Sequence, residues 1–292
     1  MKTLIDAGVP VLVFLAMVIV GMELTAADFR RVARQPLFVA FATIGQALLL
    51  PVIGWVLVRC VSLQRTIAQG LLLVVACPSG AMANIYTHLG GANVALSVAL
   101  TGVTCLAAMV TMPLALAILQ QGDGGVNGFP VPYAVLARQL LVLLVLPILI
   151  GMGVRHHWPG LVARYKRPLL GFNVLALAAL LGSVIVHEAD HLTSGLGELV
   201  LATVFLTVLA FGAGWAVSWA GRLFGHAGQP ADRFAVGMVF VVRNVGIATA
   251  IAVTALGRIE FAAFGTAYFV AQVPLLLAIV YGFRYHRRAQ QI

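Results

Sequence analysis

Apolar residues fill nine stretches of this chain, near 4–23, 36–58, 66–88, 93–119, 131–154, 168–186, 198–220, 234–255 and 260–283. Roughly 20 apolar residues cross the hydrocarbon of a bilayer as a helix. The pattern therefore predicts an all-α polytopic membrane protein of about nine transmembrane helices. The connections are short, except at 120–130 (QQGDGGVNGFP) and 187–197 (HEADHLTSGLG), and none holds a soluble domain. Two stretches are interrupted in the middle. "CPSGAMAN" (77–84) sets Pro78, Ser79, Gly80 and Asn84 in the third, and "VVRNVGIATA" (241–250) sets Arg243, Asn244 and Gly246 in the eighth. Proline removes a backbone donor and glycine removes side-chain constraint. A break at membrane depth persists only where protein or a water-filled cavity satisfies the freed groups. We expect 77–84 and 241–246 to be non-helical and to cross. One break in each half of the chain points to an inverted-repeat secondary transporter, whose half-helix ends build a binding site near the midplane.

Composition agrees. The chain is 62% hydrophobic and 9% charged, where a soluble domain carries about 25% charged residues. The formal charge of +9 is scattered through the connections, which fits a topology signal and contact with the lipid bilayer and excludes nucleic acid as a partner. With the N-terminus outside, the inner connections hold Arg30, Arg31, Arg34, Arg155, Arg164, Lys166, Arg167, Arg222, Arg233, Arg284, Arg287 and Arg288, against Lys2, Arg59, Arg65 and Arg258 outside. This asymmetry predicts a multi-pass protein of the cell inner (plasma) membrane, N-terminus out and C-terminus cytoplasmic. No cleavable leader is read before the first stretch. Cys60, Cys77 and Cys105 form no metal-like pair and read as buried free thiols.

"ACPSGAMANIYTHLGGANVALSVALT" (76–101) closely resembles the signature of the bile acid:sodium symporter (BASS) family, in which a C-P-G-G-x-x-S-N break precedes N-V-A-L-S and a Thr four residues on. "VIVGMELTAADFRRVARQP" (18–36) is similar to the family's G-M-x-L-x-x-x-D-F stretch, "GQALLLP" (45–51) to its Q-x-x-x-x-P, and "RNVGIATA" (243–250) to its Q-N-S-G-L-x-x-A crossover. The likeness runs over most of the chain in the same order. It implies inverted repeats with two crossing broken helices, and one transporter domain over 1–292. Core helices fall at about 36–119 and 198–255, and panel helices at about 4–23, 131–186 and 260–283. Bacterial members have ten helices, so nine here implies that the first is missing.

The resemblance also implies site residues. Asn84, Ser97 and Thr101 match ligands of one sodium, and Gln46 a ligand of a second. All supply hard oxygens, and Ser97 and Thr101 at i, i+4 share a helix face. Ala81, Asn84, Arg243 and Asn244 are the candidate substrate-binding residues beside the breaks. Three departures weaken the sodium sites: the crossover glutamate that touches both ions is Val239, the crossover glutamine is Arg243, and the serine before the asparagine is Ala83. Plainer roles stand beside these: close packing for Ser97 and Thr101, an interhelical hydrogen bond for Gln46, kinks for Pro147 and Pro274, a solvated turn for HEADH (187–191), and snorkelling for Arg138.

All nine acids fall in connections or near span ends, leaving no midplane proton carrier. Nor do the spans hold a nucleophile–base pair, so an intramembrane enzyme is excluded, and no organic cofactor is implied. The reading is a secondary transporter of a small organic anion, with Na+ as the implied ion, working as a monomer. Bile acids, sulfated steroids and smaller carboxylates or keto acids are the implied substrates. A sodium-independent facilitator or exchanger, a channel-like pore and a membrane sensor are the alternatives.

Overall fold

A computed structural model describes residues 2–25, 27–28, 30, 34–61, 63–121, 133–187, 195–226 and 228–289. The described residues are almost entirely helical: α1 (Lys2–Glu23), α2 (Pro36–Cys60), α3 (Arg65–Ala76), α4 (Met82–Leu89), α5 (Val94–Gln121), α6 (Tyr133–His157), α7 (Pro159–His187), α8 (Leu196–Ala220), α9 (Pro230–Val241), α10 (Val245–Thr254) and α11 (Ile259–Ala289). Helix starts follow the sequence. Pro36 and Pro230 stand at first positions, where a missing amide proton leaves nothing unpaired. Asn244 caps α10, its Oδ1 accepting from the Ile247 amide at 3.1 Å. In α6 the turn Leu141–Val145 is a π-helix just before Pro147. The looser turn absorbs the carbonyl that a proline cannot pair.

Five helices (α2, α5, α6, α8 and α11) are long and apolar enough to cross a membrane, and Ala7–Glu23, α3 and α10 are shorter apolar helices. These five, with the shorter apolar helices, make a multi-span helical protein among the described residues, without establishing the expected count of nine. The third and eighth stretches are not single spans, because their breaks divide them into α3/α4 and α9/α10. The long helices carry large apolar side chains outward, such as Val110 at 71% and Leu175 at 73% exposure, while Gln46, Ser97, Thr101 and Arg243 face inward, each buried. Polar inside and apolar outside is the arrangement lipid demands. Cys77 and Cys105 are buried free thiols, but Cys60 is exposed at the end of α2, contrary to expectation. Its place in the last turn carries it out of the packed interior.

α1 packs chiefly on α6 and α7, α8 on α9, and α11 on α3 and α10. The α1–α6 contact is backbone on backbone. A Cβ on Gly21 would stand 2.2 Å from the Ile148 carbonyl oxygen, and one on Gly151 2.1 Å from that of Val18. Small residues let helices in lipid approach this closely. The turn 120–130 and HEADH (187–191) lie almost wholly outside the described residues.

Candidate functional site

The two breaks meet. Ser79 and Arg243 form an isolated antiparallel bridge, with Gly80 N–H donating to the Val242 carbonyl and Asn244 N–H to that of Pro78, both at 2.9 Å. The non-helical residues are fewer than expected: 77–81 and 242–244. Met82, Ala83 and Asn84 already belong to α4, Val241 still to α9, and Val245 and Gly246 to α10. The correction has a simple cause. Only Pro78 lacks a donor, and helix resumes once the crossing is passed. Gly80 is required there, since a Cβ would lie 2.8 Å from the Arg243 carbonyl oxygen.

Several freed carbonyls find side-chain partners, as buried backbone favours. That of Val241 accepts from Tyr268 Oη at 2.9 Å, that of Val242 also from Ser79 Oγ at 3.3 Å, and that of Ser79 from Cys105 Sγ at 3.7 Å. Val75, in the last turn of α3, has its carbonyl bonded by Arg243 Nη2 at 3.3 Å. Arg243 is 5% exposed, and its Nε and Nη1 have no hydrogen-bond partner among the described residues. Among those residues no carboxylate pairs with it. The guanidinium borders a chamber of about 20 Å³ with Thr43, Gln46, Cys77 and Thr104. There Gln46 Oε1 is also unpaired, and Gln46 Nε2 donates to the Val239 carbonyl at 3.4 Å. Val239 itself is buried and contributes no side-chain oxygen.

Asn84, Ser97 and Thr101 gather where α4 meets α5. Ser97 Oγ donates to Asn84 Oδ1 at 2.8 Å, and Thr87 Oγ1 donates to Ser97 Oγ at 3.4 Å. Thr101 Oγ1, one turn along α5, is buried and unpaired. Ala83 is buried beside Asn84 and offers no hydroxyl. Sequence reasoning missed a further member, Glu23. This last residue of α1 accepts from Asn84 Nδ2 at 3.2 Å and pairs with Lys166 at 3.0 Å. Its signal was an acid closing an apolar helix without a basic neighbour in that turn. Thr43 and Thr87 were missed as well.

Beside the crossing lies a crevice of about 260 Å³. Val13, Ala16, Val20, Ile85, Val174 and Phe269 give it apolar walls, with Glu23 at one side. Gly80, Ala81 and Met82 line it at the start of α4, and Asn244, Val245 and Gly246 at the start of α10. Two half-helix N-termini therefore present their positive dipole ends to one cavity. Gln46 faces the small chamber instead, and Arg243 borders both.

A separate cavity of about 290 Å³ lies between the starts of α2, α5 and α9, lined by Gln35, Asn93, His226 and Asp232 among others. His226 is stacked on Phe38 at 3.7 Å, its Nδ1 lies 3.0 Å from Gln35 Oε1, and its Nε2 lies 3.4 Å from Asp232. Burial lowers its pKa, and the Asp232 charge offsets this only in part. A histidine harder to protonate folded than unfolded costs nothing above its ordinary value. Stability then falls as pH drops below about 6.5, where the unfolded chain takes up the proton. Melting from pH 8 to 5.5 should show this loss, and His226→Gln should remove that part of it.

The description "Sodium Bile acid symporter family" belongs to the family model that residues 10–195 match. A rice (Oryza sativa subsp. japonica) protein, "Probable sodium/metabolite cotransporter BASS2, chloroplastic", is 32% identical over 69% of this chain and 47% of its own. The Bacillus subtilis (strain 168) "Uncharacterized sodium-dependent transporter YocS" is 30% identical over 66% and 59%. The human "Ileal sodium/bile acid cotransporter" is 25% identical over 65% and 55%. The chain thus spans about half the length of these curated relatives.

Proposed function

This chain belongs to the sodium bile acid symporter family, and from that premise we propose that it is a secondary transporter of organic anions working by alternating access. One observation carries the reading: two half-helix N-termini flank one apolar-walled crevice beside the crossing of the breaks. An anionic head group at Ala81 and Asn244, with an apolar body along Val20, Val174 and Phe269, matches that lining. The core and panel helices, the inverted repeat, the monomer, and the N-out, C-in course through the inner membrane belong to the same proposal. No catalytic constellation is invoked.

The ion sites divide. Asn84, Ser97 and Thr101 fit a sodium: three hard oxygens stand together, and Thr101 Oγ1 is buried without a partner. A bound sodium would supply positive charge beside the half-helix ends and favour an anion there. The residues at Gln46 do not fit a second one, because Arg243 already brings a full positive charge to the Val75 carbonyl. We read Arg243 as a stand-in for that ion and the transporter as coupled to one sodium. A second reading makes Arg243 the anion clamp, favoured by its two unpaired donors and its place on the crevice.

The test is a melting screen of bile acids, sulfated steroids and short keto acids in sodium and in potassium, followed by flux of the stabilising anion into proteoliposomes. A carrier gives saturable uptake and counterflow. Flux that rises linearly with concentration and shows no counterflow overturns the carrier in favour of a pore. Uptake equal in sodium and potassium overturns the coupling and leaves a facilitator.

A further inference from the structure

We infer that Glu23 is a positioning residue of the cation site: it turns the Asn84 amide so that its oxygen faces Ser97 and Thr101, and brings the negative charge that Val239 does not supply. The inference rests on the single-sodium reading above. Its geometry starts from the hydrogen bond between Asn84 Nδ2 and Glu23 Oε2 at 3.2 Å. An ionised carboxylate only accepts. The amide nitrogen must therefore point at Glu23, and the amide oxygen is left on the other side, 2.8 Å from Ser97 Oγ. Without Glu23 nothing in this contact tells one end of the amide from the other, and a flipped Asn84 would present a donor to a cation.

Glu23 also stands where an acid needs a reason to stand. It ends α1, and the negative end of a helix disfavours a carboxylate. The chain offsets this with two basic residues from neighbouring helices. Lys166 of α7 pairs with Glu23 Oε1 at 3.0 Å, and Arg155 of α6 donates to the Met22 carbonyl at 2.6 Å and the Glu23 carbonyl at 3.4 Å. Lys166 meets one carboxylate oxygen and Asn84 the other, so the ion pair leaves Oε2 free to accept from the amide. The side chain is 19% exposed and lines the crevice, which places the charge between the cavity and the buried oxygens. In metal sites, groups that orient a ligand typically change affinity 10- to 100-fold when removed.

The experiment is a sodium titration of the melting temperature of the purified full chain, with potassium chloride holding ionic strength constant. Wild type should show a saturable rise. E23Q should shift the sodium midpoint upward by about tenfold or more while melting near wild type in potassium alone. The swapped pair E23Q/N84D, which restores one donor facing one carboxylate, should bring the midpoint back. K166M keeps the Glu23 carboxylate and should leave the midpoint within a few-fold. An E23Q midpoint equal to wild type, with T101V sodium-blind, overturns the role of Glu23 and leaves the site standing. A K166M shift as large as that of E23Q also overturns it, since the ion pair would then be what matters. A wild type blind to sodium overturns the site reading and this one with it. If E23Q alone does not fold, N84D set against E23Q/N84D decides: a sodium midpoint nearer wild type in the pair than in N84D supports the inference, and equal midpoints overturn it.

Discussion

The double variant Val239→Glu with Arg243→Gln should acquire a new sodium-dependent stabilisation, and keep it when Thr101→Val has removed the first site. The reasoning is local. Gln46 already hydrogen-bonds the Val239 backbone and shares its chamber with the Arg243 guanidinium. Exchanging the guanidinium for an amide, with a carboxylate one turn earlier, turns a site filled by its own charge into one that lacks a charge. A ligand that binds only the folded state stabilises by about 2.7 kcal/mol at a hundred times its dissociation constant. Arg243→Gln alone should lower the melting temperature, because the Val75 carbonyl at the end of α3 loses its cation. Val239→Glu alone should pair with Arg243 and ignore sodium. The same variants test the anion-clamp reading. As a clamp, Arg243 would lose about tenfold or more in anion binding on change to Lys or Gln, since Lys lacks the fork. As a stand-in, its replacement leaves anion affinity within a few-fold. A double variant indifferent to sodium, with anion affinity lost in both single variants, would transfer Arg243 to the substrate.

Gly151→Ala should be among the most damaging single-methyl additions in the molecule. The new Cβ would sit 2.1 Å from the Val18 carbonyl oxygen and 2.8 Å from the Met22 nitrogen. Both obstacles are backbone atoms of α1, so no rotamer change relieves the overlap, and α1 and α6 must separate along their length. Overpacking typically costs about 1–3 kcal/mol and occasionally more, and a backbone-on-backbone clash belongs at the upper end. Separation would also pull Met22 and Glu23 from Arg155, disturbing the arrangement around Asn84. Gly153, two residues along the same helix, has nothing within 4 Å of an added Cβ. Gly153→Ala should be neutral or slightly stabilising, because alanine is the better helix former. Size-exclusion profiles and melting curves of the two proteins provide the comparison. Equal behaviour would mean that α1 and α6 are not in this register.

Periodicity and punctuation showed much of the fold. Pro78, Ser79 and Gly80 marked one break and Arg243 and Asn244 the other, because each removes a donor, removes side-chain constraint or places polarity where lipid tolerates none. The extent of each break was harder to read. Met82–Asn84 and Gly246 carry residues that weaken helix without forbidding it, and the crossing partner, far along the chain, sets where helix resumes. The oxygen cluster at Asn84, Ser97 and Thr101 was visible because two members share a helix face. Glu23 was not. At the end of an apolar run an acid looks like a solvated boundary, and only the fold brings the end of α1 within hydrogen-bond reach of Asn84. Arg243 could be flagged by cost, but its partner, the carbonyl of Val75, leaves no trace in side-chain identity.

The proposed guanidinium in place of an ion would also set the electrical balance of the cycle. A sodium taken from solution crosses the membrane with the cargo; a charge built into the chain only shuttles back and forth with the protein. With two sodium ions per monovalent anion, each turnover would move one net positive charge, and a potential of 100 mV would contribute about 2.3 kcal/mol. With one, the turnover is electroneutral. A tenfold sodium gradient, about 1.4 kcal/mol, then concentrates the anion tenfold at most, whatever the voltage. On the one-sodium reading proposed above, placing Arg243 beside Gln46 would exchange concentrating power for a cycle that a depolarised membrane does not stall.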